Sequence, residues 1–390
     1  MQPPLTSPPQ LPMQPRPFTV DIPQSVLADL QERLARVRWT DEAPDASWEY
    51  GVPLAYLHAL VDYWRERFDW RVQERALNRF HHFHANVHGL SIHFIHERGI
   101  GPKPLPLILT HGWPSTFYEM DKVIPLLTDP ARFGGNADDA FDVVVPSLPG
   151  YGFSDPYPRR GQWNAPELWA ALMEGLGYAH FGAQGGDIGA GITTLLGRYY
   201  PERVVGIHLN SIVGDPDPLP DPASLSEAER AYLQQREEWS REEGGYSHIQ
   251  GTRPQTLAYG LNDSPVGLAA WIVEKFRVWS DCGGDVERRF TKDELLTTVT
   301  LYWATQTINS SIRRYYEYRH APAPAGVSGL VAVPTAVTTG MVEPEPPREW
   351  AERRYNIQRW VARPRGGHFL AMEEPEWFVE DVRAFFRALR

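Results

Sequence analysis

Two blocks of strand–helix alternation flank a long stretch, residues 225–319, that carries helical patterns and no convincing strand. This arrangement constrains the fold most. Before the stretch, short β-rich runs at 79–87, 90–98, 105–110, 141–145, 178–184 and 204–209 are bounded by Gly, Pro and Asp loops, and a helix of small residues is predicted at 189–200. After it, strands are predicted at 331–338 and 357–363, with a closing helix at 376–389. Within it, 225–243, 266–279 and 292–318 read as helices. Such an order predicts an α/β sheet carrying a mostly helical lid. Residues 17–74 read as helical too. Val26, Leu27, Leu30, Leu34 and Val37 recur at helical spacing behind a cap at Asp21 or Ser25, and a second helix is predicted at 54–68. The expected division is a disordered Pro-rich tail at 1–16, an N-terminal helical extension at 17–95, a first half of the core at 96–222, the lid at 223–322 and a second half of the core at 323–390.

Composition excludes several classes of function. A net charge of −11, from 38 basic and 49 acidic side chains, does not provide the broad basic face that phosphate backbones require, so nucleic acid is not an expected partner. The first sixteen residues lack the apolar core of a signal peptide, and no apolar run reaches the roughly 18 residues that span a bilayer; a cytoplasmic protein without a membrane anchor is expected. The single cysteine, Cys282, can form no internal disulfide and carries no nucleophile signature, and no Cys/His cluster has zinc spacing. Fourteen Trp, 17 Tyr and 16 Phe suit an aromatic-lined apolar pocket or a large packed core.

The sharpest local signal is Gly185-Gly186-Asp187-Ile188-Gly189, where a predicted strand stops and a helix starts. It has the small-x-nucleophile-x-small shape of a nucleophile elbow, with Asp in place of Ser, because side chains beside so tight a turn would strike neighbouring backbone. His111-Gly112-Trp113-Pro114 follows the 105–110 strand, where backbone N–H groups can form an oxyanion hole, with Trp113 and Ile188 as its donors. Gly366-Gly367-His368-Phe369 follows the last strand, and Glu343 and Glu345 follow the penultimate one. The chain order is Asp, Glu, His, the nucleophile–acid–base order of α/β-hydrolases.

With these residues in view, the chain resembles an epoxide hydrolase of the α/β-hydrolase superfamily, in the branch that includes microsomal and juvenile-hormone enzymes. The resemblance covers nearly everything after the tail: PFTVDIP and LARVRWTDE in the extension, HGWPSTFYEM, PSLPGYGFSDP at 146–156, GGDIG, GYSHIQGTRPQTLAYGLNDSPVGLAAWIVEKF and LYWATQTINSSIRRYYE in the lid, and RGGHFLAMEEPE. It implies the α/β-hydrolase fold with a cap, Asp187 as nucleophile, His368 as base, and Tyr246 and Tyr315 as ring-opening acids. The family acid commonly stands a fixed distance before a Pro-Arg-x-Trp stretch, here Pro347–Trp350. That count lands on Val342, so either Glu343, one residue on, or Glu345 orients His368; Glu343 is the expectation.

The chemistry accounts for these residue types. A carboxylate opening a strained ether forms an ester that water can later cleave, whereas a serine would leave an inert ether. Two lid phenols can meet the departing oxygen, and His368 can activate water against the ester. No metal and no organic cofactor are needed. The expected partners are a small-molecule epoxide, bulky and apolar or aromatic, and water, in detoxification or natural-product formation; lid and extension can dock within one chain or across a homodimer. A haloalkane dehalogenase is the nearest alternative, but Ile188 stands where an indole often serves the halide. A ligand-binding protein of this fold without catalysis is the other. His111 reads as structural, and Glu373 and Glu374 as a solvated charge pair at a helix start.

Overall fold

A computed structural model describes residues 13–158, 164–320, 329–340 and 342–390. Nine strands, β1 (Arg16–Phe18), β2 (His82–Val87), β3 (Leu90–Glu97), β4 (Leu105–Thr110), β5 (Phe141–Pro146), β6 (Phe181–Gly185), β7 (Val204–Leu209), β8 (Val331–Thr339) and β9 (Tyr355–Ala362), form one sheet in the order β1-β2-β3-β5-β4-β6-β7-β8-β9. The first three run antiparallel to their neighbours and the remaining pairs are parallel. Alternation along the central strands covers the sheet on both faces. Ile108 and Val144 join one buried cluster with the helices Ala165–Gly175 and Asp187–Tyr199, while Leu107, Leu109, Val143 and Val145 join another with Val123–Thr128 and Pro375–Phe386. The C-terminal ends of β4, β6, β8 and β9 therefore open on one edge, where α/β sheets place their sites.

The extension is not helical throughout. β1 pairs with β2, the expected boundary after residue 95 falls inside β3, and β3 pairs with β5, so these strands continue the core sheet. Tail residues 1–12 lie outside the described residues; from Met13 the chain is placed, with the Met13 side chain against the helix end at Gly175. The helix Gln24–Ala35 starts at Pro23 without a side-chain cap, and a third helix, Trp70–Leu77, follows Leu54–Glu66. Leu30, Leu34, Leu60 and Trp64 of the extension share their apolar cluster with lid residues Leu261, Val266, Ile272 and Phe276, so the extension is packed against the lid.

The lid helices carry their start signals in sequence. Ser226 with Glu229 and Thr291 with Glu294 form capping boxes, and Ser264 caps Pro265–Trp279 with Pro at its first turn. The single helix expected at 292–318 is two, Lys292–Thr305 and Ile308–His320, because Gln306 adopts a left-handed conformation (φ 54°) that ends the first. Among the described residues no helix is long and apolar enough to cross a membrane.

Candidate active site

The elbow between β6 and the helix Asp187–Tyr199 is strained by construction. Asp187 has φ 49°, a conformation that typically costs a non-glycine residue about 1–3 kcal/mol. Its neighbours must be glycine: a Cβ on Gly189 would sit 1.9 Å from the carbonyl oxygen of Thr110, and one on Gly112 would sit 2.3 Å from Asp187 Oδ1. The turn presents the carboxylate beyond the sheet edge. There the Trp113 backbone N–H donates to Oδ1 at 2.9 Å, while the Asp187 N–H donates to Ser211 Oγ at 2.7 Å. Ile188 follows in the first turn of the helix, where backbone N–H groups have no intrahelical acceptor.

Two lid elements bring phenols to this carboxylate. Tyr246 lies on the helix Gly245–Gln250 and Tyr315 on Ile308–His320; their ring centroids are 5.8 Å apart and the rings meet edge-on. Trp113 packs between site and lid, its ring parallel to Tyr246 at 5.4 Å and edge-on to Tyr315 at 5.9 Å. Burial above all pushes both phenols above the usual tyrosine range; the Asp187 charge comes next for Tyr246, and Tyr246 and then Asp187 for Tyr315, so both carry their protons.

His368 is 8% exposed, in the loop after β9. Its Nδ1 is hydrogen-bonded to Glu343 Oε1, which leaves Nε2 for chemistry. Glu345 instead accepts the backbone N–H of Gly340 at 2.5 Å. Burial alone would push the imidazolium down; Glu343 above all, then Asp187 and Glu119, outweigh it and raise His368 to about 9. Glu119 is a second buried acid under the same loop. Burial pushes it up to about 7, against a hydrogen bond from Ser115 Oγ, which reaches Glu119 Oε2 at 2.5 Å. His111 has a structural position: its Nδ1 faces the Gly112 carbonyl at 2.9 Å and its Nε2 accepts the Leu148 N–H at 3.2 Å, and burial lowers it to about 4.

Glu373 and Glu374 are not a solvated pair. Glu373 is buried and accepts three backbone N–H groups, from Gly367 (2.9 Å) and Phe369 (3.0 Å) on either side of His368 and from Asp281 (2.9 Å) in the lid. Glu374 pairs with Arg289 of the lid and with Arg365. The turn at Gly366-Gly367 and the short helix Leu370–Glu373 fold these carboxylates back under the His368 loop, so adjacency to Pro375 in sequence is no guide to exposure. The lid is tied to that loop by backbone as well, through the His368 N–H on the Trp279 carbonyl at 2.8 Å. Only their place inside HGWPSTFYEM and RGGHFLAMEEPE could have singled out Glu119 and Glu373 in sequence. Cys282 is buried, with its Sγ donating to the Arg277 carbonyl at 3.2 Å. No group of three or more His, Cys, Asp or Glu side chains among the described residues is spaced to hold a metal ion.

Comparison with known proteins places this geometry in a family. The family model described as "Epoxide hydrolase N terminus" matches residues 15–120, and that described as "alpha/beta hydrolase fold" matches residues 106–245. Epoxide hydrolase 1 of Sus scrofa is 37% identical over 413 residues, covering 96% of this chain and 89% of that protein. Among solved structures, the juvenile hormone epoxide hydrolase of the silkworm Bombyx mori matches with a TM-score of 0.85 at 30% identity, over 97% of this chain and 95% of that one. The Aspergillus niger epoxide hydrolase matches with a TM-score of 0.83 at 29% identity, over 97% of both chains. By fold, by its N-terminal region and by similarity along nearly its whole length, the chain belongs to the epoxide hydrolase family of α/β-hydrolase-fold enzymes.

Proposed function

We propose that this chain hydrolyses a bulky apolar or aromatic epoxide to a vicinal diol through a covalent ester on Asp187. The observation that carries the reading is the facing arrangement of the Asp187 carboxylate, held by one oxygen on the Trp113 N–H, and the paired phenols of Tyr246 and Tyr315 packed on the Trp113 ring. Asp187 Oδ2 attacks an epoxide carbon, the C–O pair leaves to the ring oxygen, and that oxygen takes a proton from the phenol pair. An ester and a phenolate result.

In the second half-reaction His368 Nε2 takes a proton from water, which attacks the ester carbonyl carbon. Charge develops on Oδ1, the oxygen already on the Trp113 N–H, with Ile188 N–H as the second donor. Collapse breaks the bond to the alkyl oxygen, which takes the proton from the imidazolium and leaves as the diol; the water oxygen and its second proton stay on Asp187, which then releases that proton as it returns to the carboxylate, and the phenolate regains one from solvent. A base raised to about 9 is charged in the resting enzyme at neutral pH. Esterification solves this: it removes the Asp187 charge, one of the carboxylates that hold the proton on His368, and so lowers the imidazole toward the base form when it is needed. Glu343 orients the ring and supports its charge. The rings of Trp113, Trp279, Tyr246 and Tyr315 around the site support an apolar or aromatic substrate.

A single turnover with styrene oxide in ¹⁸O-water tests the reading. The label is expected on the Asp187 peptide and not in the first-turnover diol; label in the diol with unlabelled Asp187 would replace the ester by direct attack of water.

A further inference from the structure

One buried charge beside the site takes no part in the steps above. Lys275 is 6% exposed, on the helix Pro265–Trp279, one turn before Trp279 and on the same helical face. Its Nζ lies over the Tyr246 ring, 5.0 Å from the centroid, and 5.7 Å from the centroid of Trp279. Its carboxylate partner is the adjacent Glu274, whose side chain is 22% exposed. Pairing with a partly solvated neighbour does not require burying the ammonium, and burying it carries a desolvation cost. The aromatic faces recover part of that cost.

We propose that Lys275 is a positioning residue that acts through Tyr246, its ammonium over the ring strengthening that phenol as proton donor to the opening epoxide; this rests on the ring-opening role given to Tyr246 above. As the proton passes from Tyr246 Oη to the epoxide oxygen, negative charge spreads from the phenolate oxygen into the ring, and a cation on the ring face stabilises it more than it stabilises the neutral phenol. Lys275 exchanges no proton and keeps its charge throughout. Burial above all, then the carboxylates of Asp187, Glu343 and Glu274, raise Tyr246, and Tyr315 acts against them. A cation 5.0 Å from the ring centroid acts in the opposite sense to those carboxylates. The effect belongs to ring opening, because the ester is cleaved after the phenol has done its work.

Styrene oxide serves as the probe. Alkylation is followed by stopped-flow tryptophan fluorescence, with the Asp187 ester quantified by mass spectrometry and de-esterification measured separately. Lys275→Met, which keeps an unbranched stem without charge, is expected to slow alkylation about tenfold, within the range of a desolvated cation–π contact, and to leave de-esterification within about twofold. Lys275→Arg should restore most of the rate. In a Tyr246→Phe background Lys275→Met should add nothing, since the residue through which it acts is gone. Glu274→Gln, which retains the ammonium and removes a carboxylate, should alkylate at least as fast as the unaltered enzyme, and it answers the question should Lys275→Met not fold. Unchanged alkylation in Lys275→Met, equal slowing in the Tyr246→Phe background, equal slowing of both half-reactions, or a tenfold loss in Glu274→Gln would each overturn the proposal while leaving the ester mechanism standing. Absence of any Asp187 ester in the unaltered enzyme would bring down the mechanism itself.

Discussion

The two halves of the site are built in opposite ways. On the side of the proposed nucleophile, Asp187 is held by backbone: a strand end, a left-handed φ, close-packed glycines and the Trp113 N–H. On the side of the proposed base, His368 is held by carboxylates reaching across the fold, with Glu343 on its ring and Glu373 gathering the N–H groups around it and one from the lid. A backbone-built position tolerates little because its sterics are absolute. A position built from side chains can be loosened one hydrogen bond at a time.

The largest test of this contrast is Asp187→Asn, for which diol formation should drop by roughly 10⁴-fold or more, since an amide cannot form the ester. Product formation is assayed on protein whose mass shows no reversion to Asp. His368→Gln comes next: Asp187 should still be alkylated, and a stable ester should build up to one equivalent per chain by mass spectrometry. Glu343→Gln should slow ester cleavage in the same direction and more than Glu345→Gln, whose carboxylate lies on Gly340. If instead both half-reactions fall together in His368→Gln, the two sides of the site are not separable.

For the lid, Tyr246→Phe and Tyr315→Phe should each slow alkylation by roughly 10-fold, and the double variant by 10²- to 10³-fold, because either phenol alone can still donate. Ester cleavage should change little in single-turnover measurements. Glu373→Gln should lower the rate of ester cleavage by about tenfold and reduce thermal stability, as an amide nitrogen turned toward buried N–H groups loses about 1–3 kcal/mol of hydrogen bonding. Alkylation should be spared, and Glu373→Asp should recover part of the loss; a variant that only melts earlier, with both rates intact, would make Glu373 a structural strut and no more.

The smallest effect is one of titration. His368 is raised in the folded state to about 9, so the stability it contributes is fully present below its unfolded value of about 6.5 and is lost as pH rises through 9. Asp187→Asn removes one of the raising charges. The His368 resonance should therefore titrate at lower pH in that variant, followed by NMR, and the alkaline loss of stability should begin earlier. An unshifted resonance would contradict the coupling through which esterification frees the base.

Elements whose signal is local were legible in the sequence. The strand–helix alternation and the glycine spacing around Asp187 each depend on sterics or hydrogen bonds among residues a few positions apart, and such patterns can be read before folding, whereas the cap expected at Asp21 or Ser25 is absent and that helix starts at Pro23. The break at Gln306 was missed because a glutamine carries no mark of a left-handed turn. So was the joining of the extension's strands to the core sheet, since pairing of β3 with β5 is a long-range contact.

What only the tertiary structure decided is the state of the charged groups. Glu373 and Glu374 look like a helix start in sequence and prove to be buried clamps. Lys275, a charged residue within a lid helix, is buried against the rings of Tyr246 and Trp279. Between Glu343 and Glu345 the residue count left both open, and the loop places Glu343 on the imidazole. The physical reason is common to all of them. Side-chain type and spacing determine which strands, helices and turns can form, but the free energy of a charge depends on how much water it keeps and which dipoles it meets. Those are set by segments distant in sequence that meet only when the chain is folded.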